Sequence, residues 1–115
     1  MHELSIAMSI LDVAREESER RGGVRVEAIH LKIGALSGVV KDVLLFSYQL
    51  ASQETAFADC RLEIEEIPVM IHCSKCNGTR AIRSPQWFAC EECDTPALKV
   101  VQGKELQISA MELSE

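Results

Sequence analysis

Four of the five cysteines fall into two pairs, Cys73-x2-Cys76 and Cys90-x2-Cys93, with thirteen residues between the pairs. Two residues between cysteines let both thiolates face one ion, while backbone amides of the tight turn stabilise the sulfur charge. Two such knuckles complete a tetrahedral four-sulfur shell, the arrangement of structural zinc. In peptides a site of this kind contributes on the order of 10–16 kcal/mol of folding energy, more than so short a stretch can gain from apolar burial. A full shell leaves no open position for water or substrate, so it scaffolds rather than hydrolyses. Iron in a rubredoxin-like electron carrier would suit the same geometry. A redox pair is disfavoured, because neither CxxC opens a helix in a βαβ pattern. His72, next to Cys73, offers a ligand that four thiolates do not need. Cys60 falls on the inward phase of a strand and reads as core.

The second chemical feature is Met1-His2-Glu3. Met1 is expected to be retained ahead of the bulky His2, which places a free α-amine one residue from an imidazole. Amine, intervening amide and His2 nitrogen can close chelate rings around one ion. With deprotonated amides this nitrogen-rich, roughly planar set suits d8 Ni(II) and not tetrahedral zinc. On these residues alone, a frayed terminal histidine remains the simpler reading.

The elements that must carry these groups follow from the periodicity. Leu4, Ala7, Met8, Leu11 and Ala14 have the spacing of one helical face, which predicts a helix from Leu4 to Arg21. Glu16 with Arg20 and Glu17 with Arg21 read as a solvated face, and Gly22-Gly23 stops the helix. Val24 to Gly34 alternates like a strand, but its apolar phase flips near Ala28; His30 lies on that strand's surface. Gly34 to Gly38 is a turn in which Ser37 can cap the next helix. Val39 to Gln53 is apolar around most of its circumference and is expected to be the more buried helix. Cys60, Leu62 and Ile64 share one face of a second strand that Pro68 limits. Leu106, Ile108 and Ala110 share one face of a last strand. That strand arrives after the metal module and has little to pair with there, so it should return to the first sheet.

The expected fold is therefore α+β: two helices packed on a small three-stranded sheet, with an inserted zinc-ribbon module. Residues 1–68 and 104–115 form one domain and 69–103 the other. Repeats and low-complexity tracts are absent.

Composition excludes several classes. The chain has 115 residues, 47% of them hydrophobic, a formal charge of -6 and a sequence pI of about 5.1. An acidic chain is a poor partner for a phosphate backbone unless its positive charge is localised. Here Lys75, Arg80 and Arg83 are matched by Glu91, Glu92 and Asp94. A nucleic-acid-binding zinc ribbon is thus the weaker alternative; Trp87 and Phe88 are better placed to pack the knuckles than to stack on bases. No stretch approaches the roughly 18 apolar residues that cross a bilayer, and the N-terminus lacks a signal-peptide pattern. Five cysteines in a reducing compartment point to metal or reactive thiols rather than disulfides, and the expected location is cytoplasmic. Three scattered histidines and no nucleophile arrangement argue against an enzyme.

Taken in order, Met1-His2-Glu3-Leu4-Ser5-Ile6, Ile33-Gly34-Ala35-Leu36-Ser37-Gly38-Val39, the two CxxC pairs and Gly103-Lys104-Glu105-Leu106 resemble the HypA/HybF family of hydrogenase maturation nickel metallochaperones. The resemblance spans essentially the full chain. It implies nickel cargo at His2, indispensable, with Glu3 supporting it and the Met1 amine and nearby backbone nitrogens as further ligands. It also implies structural zinc at Cys73, Cys76, Cys90 and Cys93. The implied partners are a nickel-binding GTPase and the large-subunit precursor of [NiFe]-hydrogenase, with urease accessory proteins in some organisms. Either a monomer or a homodimer is compatible with the pattern. Many relatives carry Pro after the third cysteine and Gly after the fourth; this chain has Glu91 and Asp94, which puts the second knuckle's geometry in question. The absence of a histidine-rich tail points to delivery rather than storage.

Overall fold

The computed structural model describes residues 3–114. The order of elements is α1 (Glu3–Arg20), β1 (Val26–Gly34), α2 (Lys41–Ser52), β2 (Arg61–Ile67), β3 (Met70–Cys73), β4 (Gly78–Ser84), β5 (Trp87–Cys90), β6 (Lys99–Gln102) and β7 (Leu106–Leu113). The protein is α+β, with two helices, a three-stranded sheet in the order β2-β1-β7 and a four-stranded sheet in the order β5-β4-β3-β6. As the pattern required, β7 returns to the first sheet after the cysteine-bearing strands. The chain divides into two compact units. One holds the chain up to Lys32, Gly38–Glu65 and the residues from Gln107 onward; the other holds Ile33–Ser37 and Glu66–Leu106.

In the first unit α1 packs against α2. The buried face of α1 is Ala7, Ile10, Leu11 and Ala14, together with Glu3. Leu4 and Met8, expected on that face, are about half exposed. They stand at the edge of the buried arc, and the two fully buried alanines at its centre allow close approach without them. Arg20 and Arg21 both pair with Glu17, so Glu16 is not the partner of Arg20. Such exposed pairs are worth only a few tenths of a kcal/mol. Gly22 and Gly23 both take positive φ and end the helix.

Helix α2 starts later than Ser37 could cap: its N-cap is Val40, with extended backbone and no side-chain cap of its own. Its buried residues are Leu44, Ser47, Tyr48 and Ser52. Val43, Phe46 and Leu50 are exposed, so one side of α2 stays uncovered despite its apolar residues. A nearly uniform apolar circumference carries no information about which face turns inward. Tyr48 donates its hydroxyl to the carbonyl of buried Cys60 at 3.0 Å.

Strand β1 is central in its sheet, and its phase does flip: Val26 and Ala28 are buried, then Ile29, Leu31 and Ile33. Two adjacent buried residues mean that both faces are covered there. β7 runs antiparallel to β1, because Ser114 donates to the Arg25 carbonyl while Ser109 reaches the His30 carbonyl. On β7, Ile108, Met111 and Leu113 are partly buried and Ala110 is exposed, a looser pattern than the expected alternation. His30 lies on the strand surface, 2.7 Å from the Glu112 carboxylate that also pairs with Arg61.

In the second unit the strands pair antiparallel: β3 with β4, β3 with β6 and β4 with β5. Main-chain bonds tie the segment Ile33–Ser37 into this unit. The Gly34 N–H donates to the Glu105 carbonyl at 2.7 Å, Ala35 to Ile67 at 2.9 Å and Leu36 to Gly103 at 2.6 Å. A Cβ on Gly34 would meet the Gly103 carbonyl oxygen at 2.1 Å and the Glu105 nitrogen at 2.6 Å. Only a residue without a side chain fits there.

Gly34→Ala is therefore expected to destabilise the protein by about 3 kcal/mol or more, since backbone and not a side-chain tip must move. Gly22→Ala, which meets nothing within 4 Å but keeps a φ of +81°, should cost only about 1–2 kcal/mol. Denaturant unfolding of the two variants separates close contact from backbone strain.

Candidate metal centre

Cys73 ends β3 and Cys90 ends β5, and each is followed by a turn that carries its pair-mate, Cys76 or Cys93. Each turn closes with a residue in the left-handed region, Asn77 at φ +55° and Asp94 at φ +63°. Asn and Asp are the side chains that tolerate this conformation best after glycine. Asp94 thus takes the left-handed conformation that a glycine would accept there. Its carboxylate also accepts the Trp87 indole N–H at 2.9 Å and pairs with Arg83 at 2.8 Å, contacts that a glycine could not make. The Arg83 guanidinium donates in turn to the Glu91 carbonyl.

The turns bring the four sulfurs together. All lie within 4.8 Å of one another. Cys73 Sγ is 3.4 Å from Cys93 Sγ, and Cys76 Sγ is 3.7 Å from Cys93 Sγ and 3.9 Å from Cys90 Sγ. A tetrahedral ion with metal–sulfur bonds of about 2.3 Å sets its sulfurs about 3.8 Å apart, so the shell has the required size. None of the five cysteines is in a disulfide.

The surroundings prepare the sulfurs unequally. The Thr95 hydroxyl, 3.1 Å from Cys93 Sγ, and the Thr95 N–H draw the Cys93 thiol down to about 6. Hydrogen bonds with Cys93 and Cys73 push Cys76 up to about 12. Four sulfurs this close cannot all carry negative charge without a cation among them. The donor set therefore fits a thiophilic divalent ion. Cys60 is not part of the cluster: it is buried beside Tyr48, and burial pushes its thiol up. His72 is exposed on β3, out of phase with buried Ile71 and Cys73, and contributes no ligand atom to the group.

At the other candidate site, Met1 and His2 lie outside the described residues. Glu3 is buried, 7% exposed, and its carboxylate accepts the Val40 N–H at 3.0 Å at the start of α2. Sequence reasoning did not identify this tie across thirty-seven positions, nor the Thr95 hydroxyl on Cys93. A threonine two residues after a knuckle cysteine was the one available signal for the latter.

Replacing any one of Cys73, Cys76, Cys90 or Cys93 by serine is expected to abolish the bound metal and lower the melting temperature, whereas Cys60→Ala retains the wild-type metal content. Elemental analysis beside circular dichroism melting checks this; equal metal in all five variants would refute the cluster as a site. At the turn, Asp94→Ala keeps the strained φ and loses the latch to Trp87 and Arg83. It should be less stable than Asp94→Gly by about 1–2 kcal/mol, read from denaturant midpoints of the metal-loaded variants.

Among the described residues no helix is long and apolar enough to cross a membrane. Residues 1–113 match the family HypA, described as "Hydrogenase/urease nickel incorporation, metallochaperone, hypA". The chain is similar to the hydrogenase maturation factor HypA of Chloroflexus aurantiacus, 44% identical over 112 residues that cover 97% of this chain and 98% of that one. It is also similar to the HypA of a Roseiflexus strain, 40% identical over 115 residues covering 100% and 94%, and to the HybF of Klebsiella pneumoniae, 33% identical over 112 residues covering 97% and 98%. The fold matches the solution structure of the Ni metallochaperone HypA from Helicobacter pylori with a TM-score of 0.65 at 21% identity, covering 98% of this chain and 97% of that one. Matched from its first residue to its last strand, and carrying two turns that gather four cysteines, this chain belongs to the HypA family of metallochaperones, which are maturation factors and not enzymes.

Proposed function

We propose that this chain is a nickel metallochaperone, binding one Ni(II) as cargo at its N-terminus and handing it on during maturation of [NiFe]-hydrogenase, with urease as a second destination. The family match that begins at residue 1 carries this reading. His2 supplies the indispensable imidazole nitrogen, and the Met1 amine and intervening amide complete a planar nitrogen set. Glu3 supports the site from behind. With its carboxylate bonded to the Val40 N–H, the first turn of α1 is anchored to the start of α2.

The second unit has the separate role of scaffold. Cys73, Cys76, Cys90 and Cys93 would hold structural zinc, which closes the two knuckles and supplies folding energy without an open coordination position. Zinc fits better than iron on the family's grounds and because nothing in the site calls for electron transfer. We assign residues 1–68 and 104–115 to the nickel-handling part and 69–103 to the zinc ribbon, although residues 33–37, 66–68 and 104–106 pack with the ribbon's unit. The partners are a nickel-binding GTPase and the hydrogenase large-subunit precursor, in the cytoplasm.

The test is calorimetric titration of Ni(II) into the zinc-loaded protein, with mass spectrometry first confirming an unblocked Met1. Wild type should take up one nickel per chain, with the d–d absorption of a planar, nitrogen-rich site. His2→Ala should lose that band and at least tenfold in affinity, while its zinc content stays at one. Equal affinity and stoichiometry in the two proteins would remove the nickel site from the N-terminus.

A further inference from the structure

One cation stands apart from the surface ion pairs. Arg80 lies on β4 opposite Ile71 of β3, in the strand pair whose turn carries Cys76. Its Nε is buried and finds no hydrogen-bond acceptor among the described residues. The same Nε is 3.0 Å from a carboxylate oxygen of Glu92, so that contact is charge against charge without a directed hydrogen bond. Glu92 itself sits inside the second knuckle, between Cys90 and Cys93. One terminal nitrogen donates to the Thr79 carbonyl at 2.8 Å. The guanidinium also lies against Gly78, just past the first knuckle, where an added Cβ would meet its Nη1 at 3.1 Å, and its charge acts on Cys76 and Cys90. The other nearby cations are elsewhere engaged: Arg83 holds Asp94 and the Glu91 carbonyl, and Lys75 is exposed.

The charge balance gives Arg80 a task. Four thiolates carry two more negative charges than a divalent ion brings. That excess lies in a cluster where Cys73 and Cys90 are essentially solvent-free. A charge-assisted hydrogen bond from a guanidinium draws electron density from a thiolate, lowers its reactivity and steadies the metal it binds. Resting on the reading of the four cysteines as a zinc site, we propose that Arg80 is a positioning residue for that metal: its guanidinium bonds the Cys76 thiolate and holds the loaded site against ligand loss, with Glu92 setting how much of its charge reaches the sulfurs.

The experiment measures zinc release to a chromogenic chelator, alkylation of the zinc-loaded protein by iodoacetamide, and the thiolate-to-metal absorption of the cobalt-substituted form. Arg80→Gln should release zinc about ten times faster, alkylate faster at Cys76, and shift the cobalt charge-transfer band to lower energy. Arg80→Lys keeps the charge without the planar fork and should fall between Arg80→Gln and wild type. Glu92→Gln should release zinc no faster than wild type, because it frees the guanidinium for sulfur. Should Arg80→Gln not fold, Arg80→Lys and Glu92→Gln still decide. Wild-type release rates and an unmoved cobalt band in the Arg80 variants would overturn the proposal. So would equal acceleration by Glu92→Gln, which would reduce Arg80 to half of a structural ion pair. Wild-type protein without zinc at these cysteines would instead overturn the underlying site.

Discussion

Four sulfurs packed within contact of one another repel as soon as they ionise, and the second unit is arranged around that difficulty. Its buried cluster consists of Val69, Ile71, Cys73 and Cys90, with Cys76, Ile82, Phe88, Cys93, Ala97 and Val100 packed against it. Cysteines thus supply a large share of the core in a sheet whose strands are four to seven residues long. Without a cation that core would have to keep thiols protonated side by side and forgo the bonding that draws them inward. With one, the same atoms become the strongest cross-link in the unit. The groups around the sulfurs follow from this. The Thr95 hydroxyl and N–H favour the thiolate of Cys93, and the Cys76 N–H points at Cys73 Sγ from 3.4 Å.

A second constraint is purely steric. The segment around Gly34 and the segment around Gly103 approach each other backbone to backbone, closer than any Cβ permits. Gly103 has a φ of +122°, and a side chain on it would also crowd Val69. These glycines belong to the two stretches outside the cysteine pairs and the N-terminus that carried the family resemblance. Their presence in the pattern has a mechanical cause, and it is independent of any metal.

At the amino end the tie from Glu3 to Val40 does two jobs with one bond. It gives the start of α2 a polar partner where no side chain of its own cap provides one, and it buries a carboxylate at the positive end of a helix dipole, where it is favoured.

The sequence by itself determined which four cysteines come together, the α+β class and the return of β7 to the first sheet. Each rests on a local rule: two-residue spacing in the knuckles, periodicity in the elements, and the lack of a partner for a late strand. It did not determine which side of α2 is buried, because Val43, Phe46 and Leu50 are as apolar as the buried Leu44. Nor could it exclude Leu4 and Met8 from the packed face of α1, since they fit the helical spacing as well as Ile10 does. Only tertiary packing decides between faces of equal hydrophobicity. The same holds for Glu3 with Val40, Gly34 with Gly103, and Arg80 with Glu92. These contacts join groups that no local pattern relates, and their energies arise from distances that exist only after the chain has closed on itself.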